Sequence, residues 1–255
     1  MPVLVETTSG AKCVVKWKGT GDGPLAIATD WVCLHLARLA GIPVPTPHLI
    51  RITPDLATDR QDPEINELIV KSLGINLAVE FLEGVVPYKP DQLGLVDPDL
   101  QRRIYCFDVL FLNIDRTDFN PNIVFVEDRF VCLDFASALG IKMLMNGERY
   151  TERTLMPLIR RHPFYGTKES SAIPEFPVGK ADLEEIIRTT PDEWLPDADS
   201  IKQKLLSGVT AIFADARTIL EQRLTLLDET PLETLEARSA RMLANRKAFA
   251  AKWPL

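Results

Sequence analysis

The stretch FDVLFLNIDRTDFNPNIVFV, residues 107–126, joins an apolar run to a polar loop and then to a second apolar run. Asp97 and Pro98 stand upstream as a helix N-cap and a first helical residue, so the first run is predicted to end a helix. The second run predicts a strand. Between the two runs, residues 115–122 hold two Asp, one Arg and two Asn. This composition suits an ordinary polar turn, because Asp, Asn and Pro are common turn formers, and it also suits a catalytic loop.

Upstream of this stretch, the chain predicts a small β-rich part that contains one helix. Val, Cys and Trp enrichment indicates two short β segments in residues 3–19, joined by a turn at residues 7–10. Apolar residues recur at helical spacing in LAIATDWVCLHLARLAG, residues 25–41, and stop at a glycine suited to a helix end. Three more segments are predicted: a proline-rich connection into a strand at residues 49–52, a polar loop at residues 53–66, and a strand in INLAVEFLEG, residues 75–84.

Downstream, two short strands are predicted in NIVFVED and FVCLDF, with a tight turn near residues 128 and 129. From Lys180 onward the pattern is helical, and N-caps are predicted at Asp182 and Ser200. An Arg-rich helix is predicted after Pro231.

This order of elements predicts an α+β protein with two lobes and a site between them. Residues 1–83 are assigned to an N-terminal nucleotide-binding lobe. Residues 84–255 are assigned to a C-terminal, mainly helical catalytic lobe.

Composition narrows the class of protein. The 29 Lys and Arg face 36 Asp and Glu, and a net charge of -7 argues against a broad nucleic-acid footprint. Four unpaired-looking Cys and three scattered His predict reduced thiols and no structural metal, which favours the cytoplasm. No run reaches the roughly 18 apolar residues of a membrane span, so no span is expected.

The polar loop has the residue types that phosphoryl transfer from ATP needs. That reaction uses a carboxylate to orient the attacking hydroxyl and one or two oxygen ligands for Mg²⁺. Asp115 is predicted to be the catalytic carboxylate. Asn120 or Asn122 is predicted to supply an amide oxygen to the metal. Asp134, which follows the second hairpin strand, is predicted to supply a carboxylate to it.

The β-rich part has the residues expected on the other side of a nucleotide. Lys16 lies on a strand just before the predicted helix, where it would hold phosphates, and Asp30 is the one acid of that helix. The segment VEFLEG is typical of a connection between lobes whose backbone contacts adenine. We therefore expect Glu80, Phe81 and Leu82 to line a nucleotide site.

On these stretches the chain resembles the HipA-like kinases, in their compact branch, and more distantly the phosphatidylinositol kinases. The resemblance rests on residues 4–45, on FDVLFLNIDRTDFNPNIVFV and on LDFASAL, with RHPFY and PDEWL as further matches. It implies a two-lobed protein-kinase-like fold that uses ATP and Mg²⁺. It also implies the roles predicted above for Lys16, Asp115 and Asp134.

The sequence departs from the family pattern at several positions. Asp30 replaces the usual Glu, and its shorter reach is expected to lengthen the pair with Lys16 or to require a water between them. Asn120 has the usual spacing from the catalytic Asp, whereas Asn122 has the usual place at the mouth of the strand, and we favour Asn122. Phe135 stands where this branch more often has His.

The phosphate loop departs from the family pattern as well. It has one glycine, so Thr7, Thr8, Ser9 and backbone amides would have to hold the phosphates, and Thr8, Ser9 and Gly10 are predicted to bind nucleotide. A plain hairpin turn is the alternative.

The sequence therefore predicts a cytoplasmic kinase that transfers the γ-phosphate of Mg-ATP to a hydroxyl, most plausibly of a protein Ser or Thr. The alternative is a pseudokinase that binds nucleotide or serves as a scaffold, and a small-molecule or lipid acceptor is a third hypothesis. Arg116 is predicted to brace the loop through a carboxylate or carbonyl, and His162 is predicted to pack. Four basic residues are predicted to form a solvated face or a partner site on the last helix: Arg238, Arg241, Arg246 and Lys247.

Overall fold

The computed structural model describes residues 2–20, 23–57, 62–127, 129–166 and 173–231. The helix predicted after Pro231 and its basic face (Arg238, Arg241, Arg246 and Lys247) lie outside these ranges. Asp128, predicted in the hairpin turn, lies outside them too.

Four antiparallel strands form the first sheet: β1 (Pro2–Glu6), β2 (Lys12–Lys16), β3 (Pro47–Ile52) and β4 (Gly74–Glu80). Their order across the sheet is β1-β2-β4-β3. Lys16 lies opposite Leu77 of β4, at the end of β2. The strands predicted in residues 3–19 and 75–84 are confirmed, with β4 ending at Glu80.

Helix α1 (Gly23–Leu39) packs against this sheet and contacts β3 and β4. It is buried along most of its length, and Asp30 is buried with the apolar residues. The helix ends as predicted, and Gly41 takes a left-handed backbone with φ +73°. An L side chain is disfavoured in that conformation, which explains a glycine at the helix end.

The loop predicted over residues 53–66 is wrong in its second part. A short 3₁₀ helix (Pro54–Leu56) is followed by α2 (Pro63–Lys71). Asp62 caps α2, because its carboxylate accepts a hydrogen bond from the backbone N–H of Glu64 at 2.8 Å. An Asp-Pro pair opens this helix, the same signal that was used for Asp97 and Pro98.

The loop of Asp115 lies between helix α3 (Pro98–Phe111) and a second sheet. That sheet has the order β5 (Val86–Pro87), β6 (Ile123–Val126) and β7 (Arg129–Cys132). The predicted cap is confirmed, since the Asp97 carboxylate accepts from the Leu100 N–H at 3.0 Å. Helix α3 is buried over most of its length, so it gives the loop a rigid base.

The elements that follow β7 are helices. The two predicted caps are wrong by three residues each, because Gly179 and Asp197 occupy the N-cap positions and Asp182 and Ser200 lie inside the first turns. No helix in the described part of the chain is long and apolar enough to cross a membrane. The helices are α4 (Leu139–Asn146), α5 (Glu152–Ile159), α6 (Lys180–Thr189), α7 (Ala198–Ala214) and α8 (Ala216–Glu229), with short 3₁₀ helices at Pro90–Leu95 and Asp192–Trp194.

A short 3₁₀ helix ties the helical part to the first sheet. The Trp194 indole is buried and donates to the carbonyl of Ile75 at 2.8 Å. Glu193 accepts from the Ile75 N–H at 2.7 Å and pairs with Lys18 Nζ at 2.7 Å. These contacts hold the start of β4 against the connection between α6 and α7.

Replacing Gly140 by alanine is expected to destabilise the contact between α4 and the end of α3, at the base of the loop of Asp115. A Cβ at Gly140 would lie 2.9 Å from the carbonyl oxygen of Phe111, the last residue of α3. Such overpacking against backbone should lower the free energy of unfolding by about 1–3 kcal/mol, measured by urea denaturation. Gly94→Ala is the matched control, because no atom lies within 4 Å of its added Cβ. Equal losses in both variants would contradict the prediction.

Candidate active site

A cavity of about 320 Å³ lies between the first sheet and the hairpin of β6 and β7. Its walls are mostly apolar side chains, and Lys16, Asn122 and Asp134 supply polar groups. The segment that joins the two parts of the chain also lines it, through Glu80, Phe81 and Leu82, and their contact with a nucleotide stays a prediction. The apolar wall residues include Val14, Leu34, Val79, Val85, Val124 and Leu133. A slot with apolar walls and a charged end can hold a flat apolar ring that carries an anionic tail.

One lysine joins two carboxylates in this cavity. Lys16 Nζ lies 2.5 Å from Asp30 Oδ2 and 3.0 Å from Asp134 Oδ1. The expected lengthening of the first pair does not occur, because α1 packs directly on the sheet and the long lysine side chain spans the distance. The pair is therefore direct although Asp replaces Glu.

Electrostatic attraction between Lys16 and the carboxylates of Asp30 and Asp134 opposes the effect of burial on their pKa values. Burial raises the pKa of Asp30, and Lys16 offsets part of that increase. Burial alone would lower the pKa of Lys16, but the Asp30 and Asp134 carboxylates outweigh it and raise the pKa. Burial would raise the pKa of Asp134, but the charge and hydrogen bond of Lys16, together with the Ala136 N–H and Arg116, outweigh it and lower that pKa. Lys16 is consequently a cation positioned within the cavity.

Asp115 lies in the loop after α3 and contacts both candidate asparagines. Its Oδ2 accepts from Asn120 Nδ2 at 2.8 Å and from Asn122 Nδ2 at 3.4 Å. The side chain is solvent-accessible, yet partial desolvation raises the pKa of Asp115, and the Asn122 amide offsets part of the increase. The carboxylate is thus held in place by neutral donors.

The two asparagines differ in where they lie. Asn122 lines the cavity together with Asp134, at the mouth of β6. Asn120 is exposed, and besides the Asp115 carboxylate it contacts the Asp115 carbonyl at 3.4 Å. Asn122 is therefore the asparagine that shares the cavity with the Asp134 carboxylate.

Thr8, Ser9 and Gly10 lie at the exposed tip of the β1–β2 hairpin. The tip is a closed turn, in which the Gly10 N–H donates to the Thr7 carbonyl at 2.9 Å. The Thr7 hydroxyl contacts the Ser9 hydroxyl at 2.9 Å and accepts from the Ala11 N–H at 3.1 Å. The cavity walls, as far as the described residues define them, do not include these three residues. Their contact with phosphate stays a prediction.

Behind the loop, Arg116 is fully buried and makes the contacts predicted for a brace. Its Nε lies 2.5 Å from Asp108 Oδ2, and its Nη1 donates to the carbonyl of Asn122 at 2.7 Å. Its guanidinium also lies over the ring of Phe135, at 4.7 Å from the ring centroid. The Phe135 ring is buried against Phe107, at 5.8 Å between ring centroids, so this departure from the family pattern serves packing behind the site. The backbone N–H of Phe135 donates to Asp30 Oδ1 at 2.7 Å.

Sequence reasoning missed Asp108. This fully buried carboxylate lies on α3 and accepts from Arg116, from Asn113 Nδ2 at 2.8 Å and from His162 at 3.0 Å. His162 is buried as predicted, and it has this polar partner in addition to its aromatic neighbours. The available signal was a lone acid within the apolar run FDVLF, because a buried carboxylate requires partners.

A β-rich lobe and a mainly helical lobe, with a cavity between them that is lined by Lys16, Asn122 and Asp134, define a two-lobed protein-kinase-like fold. The predicted α+β class is confirmed. The chain belongs to the HipA-like kinase family, which matches it over residues 2–223.

Comparison with solved structures agrees on the fold. The proinflammatory kinase CtkA of Helicobacter pylori superposes with a TM-score of 0.50, at 11% sequence identity, over 91% of this chain and 92% of CtkA. The comparison with curated protein sequences gave no match. By family the protein is a kinase-type phosphotransferase.

Proposed function

We propose that this protein transfers the γ-phosphate of Mg-ATP to a hydroxyl group, that of a protein Ser or Thr. The observation that carries the proposal is the pair of groups around one cavity: Lys16 with its two carboxylates, and Asp115 beside Asn122. Phosphoryl transfer depends on positioning and on electrostatic stabilisation, and these groups supply a cation, oxygen ligands and an orienting carboxylate.

The nucleotide would lie in the cavity between the lobes. Its adenine would contact the backbone of Glu80, Phe81 and Leu82, which line the cavity where the two lobes join. We propose a lobe boundary at residues 83 and 84, directly after this segment. Lys16 would hold the α- and β-phosphates, and the hairpin tip with Thr8, Ser9 and Gly10 would cover them.

The donor set fits Mg²⁺. A hard cation prefers oxygen ligands and often takes only one or two from the protein, and Asn122 and Asp134 offer an amide and a carboxylate in one cavity. When bound, Mg²⁺ would neutralise phosphate charge. We assign the amide ligand to Asn122 because Asn120 is on the exposed side of Asp115.

The Asp115 carboxylate would orient the acceptor hydroxyl and accept its proton as the phosphate bond forms. Asn120 and Asn122 donate to one oxygen of this carboxylate, which restricts its rotation. The neighbouring Arg116 would not touch phosphate, because it is buried and bonded behind the loop. We propose the reducing cytoplasm as the compartment, since all four cysteines are free and buried.

Incubation with γ-labelled ATP and a degenerate peptide library with a central Ser or Thr tests the proposal. We expect label in this library only with Mg²⁺ present, and none in a matched library with a central Ala. A thermal-shift measurement with ATP accompanies it. ATP binding without transfer would favour the pseudokinase, and transfer to lipid vesicles or small alcohols alone would move the acceptor to another class. Absence of ATP binding would contradict the whole proposal.

A further inference from the structure

A buried polar cluster lies directly behind the loop of Asp115. Its members are the side chains of Asp108, Arg116 and His162, which we call the Asp108 brace. We propose that the Asp108 brace sets the direction in which Asn122 and Asp134 point. This inference rests on the proposed function, in which those two side chains hold the metal.

Both candidate metal ligands have an unusual backbone. Asn122 has φ +50° and Asp134 has φ +53°, in the left-handed region, which is uncommon for residues with a Cβ although Asn and Asp enter it more readily than the others. They flank the hairpin of β6 and β7, one before the first strand and one after the second. Such a conformation persists when surrounding contacts enforce it, and it aims a side chain where an ordinary strand residue would not point.

Arg116 makes those contacts. Its Nη1 donates to the carbonyl of Asn122 at 2.7 Å and to the carbonyl of Leu133 at 3.2 Å. Rotation about ψ of Asn122 turns the peptide plane that contains the Asn122 carbonyl. Rotation about φ of Asp134 changes the angle between Asp134 and the preceding peptide plane, which contains the Leu133 carbonyl. One guanidinium nitrogen therefore restrains a backbone rotation at each metal ligand.

The guanidinium is in turn held by two buried groups. Asp108 Oδ2 lies 2.5 Å from Arg116 Nε and 3.0 Å from His162 Nε2. His162 Nδ1 accepts from the Phe164 N–H at 3.0 Å, so the ring proton resides on Nε2 and is donated to Asp108. The histidine thereby ties the segment after α5 to α3 and to the loop. All three side chains are fully buried, so water cannot replace these bonds.

These contacts predict which property of the site depends on the brace. The adenine would contact the segment of Glu80, Phe81 and Leu82 and the apolar side chains of the first sheet. The hydrogen bonds of Arg116 reach instead the backbone beside the two metal ligands, at the carbonyls of Asn122 and Leu133. Loss of the brace should weaken the metal-dependent part of nucleotide binding and leave the metal-free part unchanged. Asp108, Arg116 and His162 would then be positioning residues, since none of them reaches the cavity walls.

The ratio of the Kd for metal-free ATP to the Kd for MnATP, measured by calorimetry, tests this. Arg116→Lys keeps the charge but cannot reach Asp108 and two carbonyls at once, so the ratio should fall about 10–100-fold. His162→Gln keeps one donor and should lower the ratio about 3–10-fold. The Kd for metal-free ATP should stay within about threefold of the wild-type value in both variants.

Leu205→Ala is the control for lost stability, because Leu205 is fully buried on α7 and is no part of the brace. It should lower the melting temperature without changing the ratio. If Arg116→Lys and His162→Gln lower the melting temperature but keep the wild-type ratio, the brace is structural only and the inference fails. A wild-type protein whose ATP affinity ignores Mn²⁺ would instead overturn the metal assignment of the proposed function, and the role of the brace with it.

Discussion

Asp115→Asn should lower the rate of phosphate transfer about 10²–10⁴-fold, the range typical for loss of a general base. The variant keeps the size of the side chain and one acceptor oxygen for the Asn120 amide, which lies 2.8 Å from Asp115 Oδ2. It loses the charge that would accept the hydroxyl proton. The Kd for ATP should stay within about threefold, because Lys16 and the apolar walls are untouched. Single-turnover transfer with labelled ATP and a binding titration measure the two quantities separately.

Asp118→Asn is the matched control for this experiment. Asp118 lies in the same loop but is directed to Arg161, with its Oδ1 3.2 Å from the guanidinium. That pair is partly exposed and contributes little stability, so transfer should remain within about threefold of wild type. Equal losses in Asp115→Asn and Asp118→Asn would mean that the loop is only sensitive to charge. Full activity of Asp115→Asn would contradict a catalytic role of Asp115.

Lys16→Met should have the second largest effect, on stability as well as on nucleotide binding. It would leave the fully buried carboxylate of Asp30 without the cation that lies 2.5 Å away. Removing one partner of a buried ion pair typically costs about 3–5 kcal/mol of unfolding free energy. Losing a charge-assisted contact to phosphate should raise the Kd for ATP about 10–100-fold, from the roughly 1.5–3 kcal/mol of such a bond. Urea denaturation and ATP titration measure these changes.

The stability loss in Lys16→Met should depend on pH with a defined sign. Burial raises the pKa of Asp30, and without Lys16 nothing on β2 offsets that increase. A carboxyl group whose pKa is higher in the folded state than in the unfolded state lowers the stability of the fold as pH rises, because its ionised form is disfavoured in the folded state. The deficit relative to wild type should therefore be smallest below about pH 4 and grow as pH rises through the folded-state pKa.

Two further variants separate the two roles of Lys16. Lys12→Met is the matched control on the same strand, because Lys12 is exposed, and it should change stability by less than about 0.5 kcal/mol. Lys16→Met combined with Asp30→Asn removes the buried charge and should recover part of the stability but none of the ATP affinity. A double variant as unstable as Lys16→Met alone would show that the pair is not the cause.

Local chemistry explains the elements that could be predicted. The Asp-Pro opening of α3, the turn at residues 7–10 and the glycine after α1 each depend on neighbours within a few residues, and all three are confirmed. The same logic would have found α2, whose Asp62 and Pro63 give the same signal. The cap of α6 was misplaced because Asp182 accepts from the Gly179 N–H from inside the first turn, so the acid marks the third helical residue and not the N-cap. The cap of α7 was misplaced because Asp197, three residues before Ser200, is an equally suitable N-cap type.

The candidate site shows the same division between what local sequence predicts and what depends on tertiary structure. Residue types and chain order were enough to propose Asp115, Asp134 and Lys16 for one chemistry, because phosphoryl transfer restricts which groups can serve. The choice between Asn120 and Asn122 was not available from spacing, since the loop holds two extra residues. The proposed choice of Asn122 rests on its place in the cavity lining at the mouth of β6, where its backbone is left-handed.

The amino-acid sequence by itself determined the α+β class and most of the elements, and it proposed a set of groups for phosphoryl transfer, because these depend on short-range pattern and on chemical type. Only the tertiary structure decided how those groups are held. Asp108 and His162 lie 54 residues apart in the chain, and Asp30 and Phe135 lie 105 apart. Burial forces such polar groups to find partners, and packing of distant elements decides which partners are within reach.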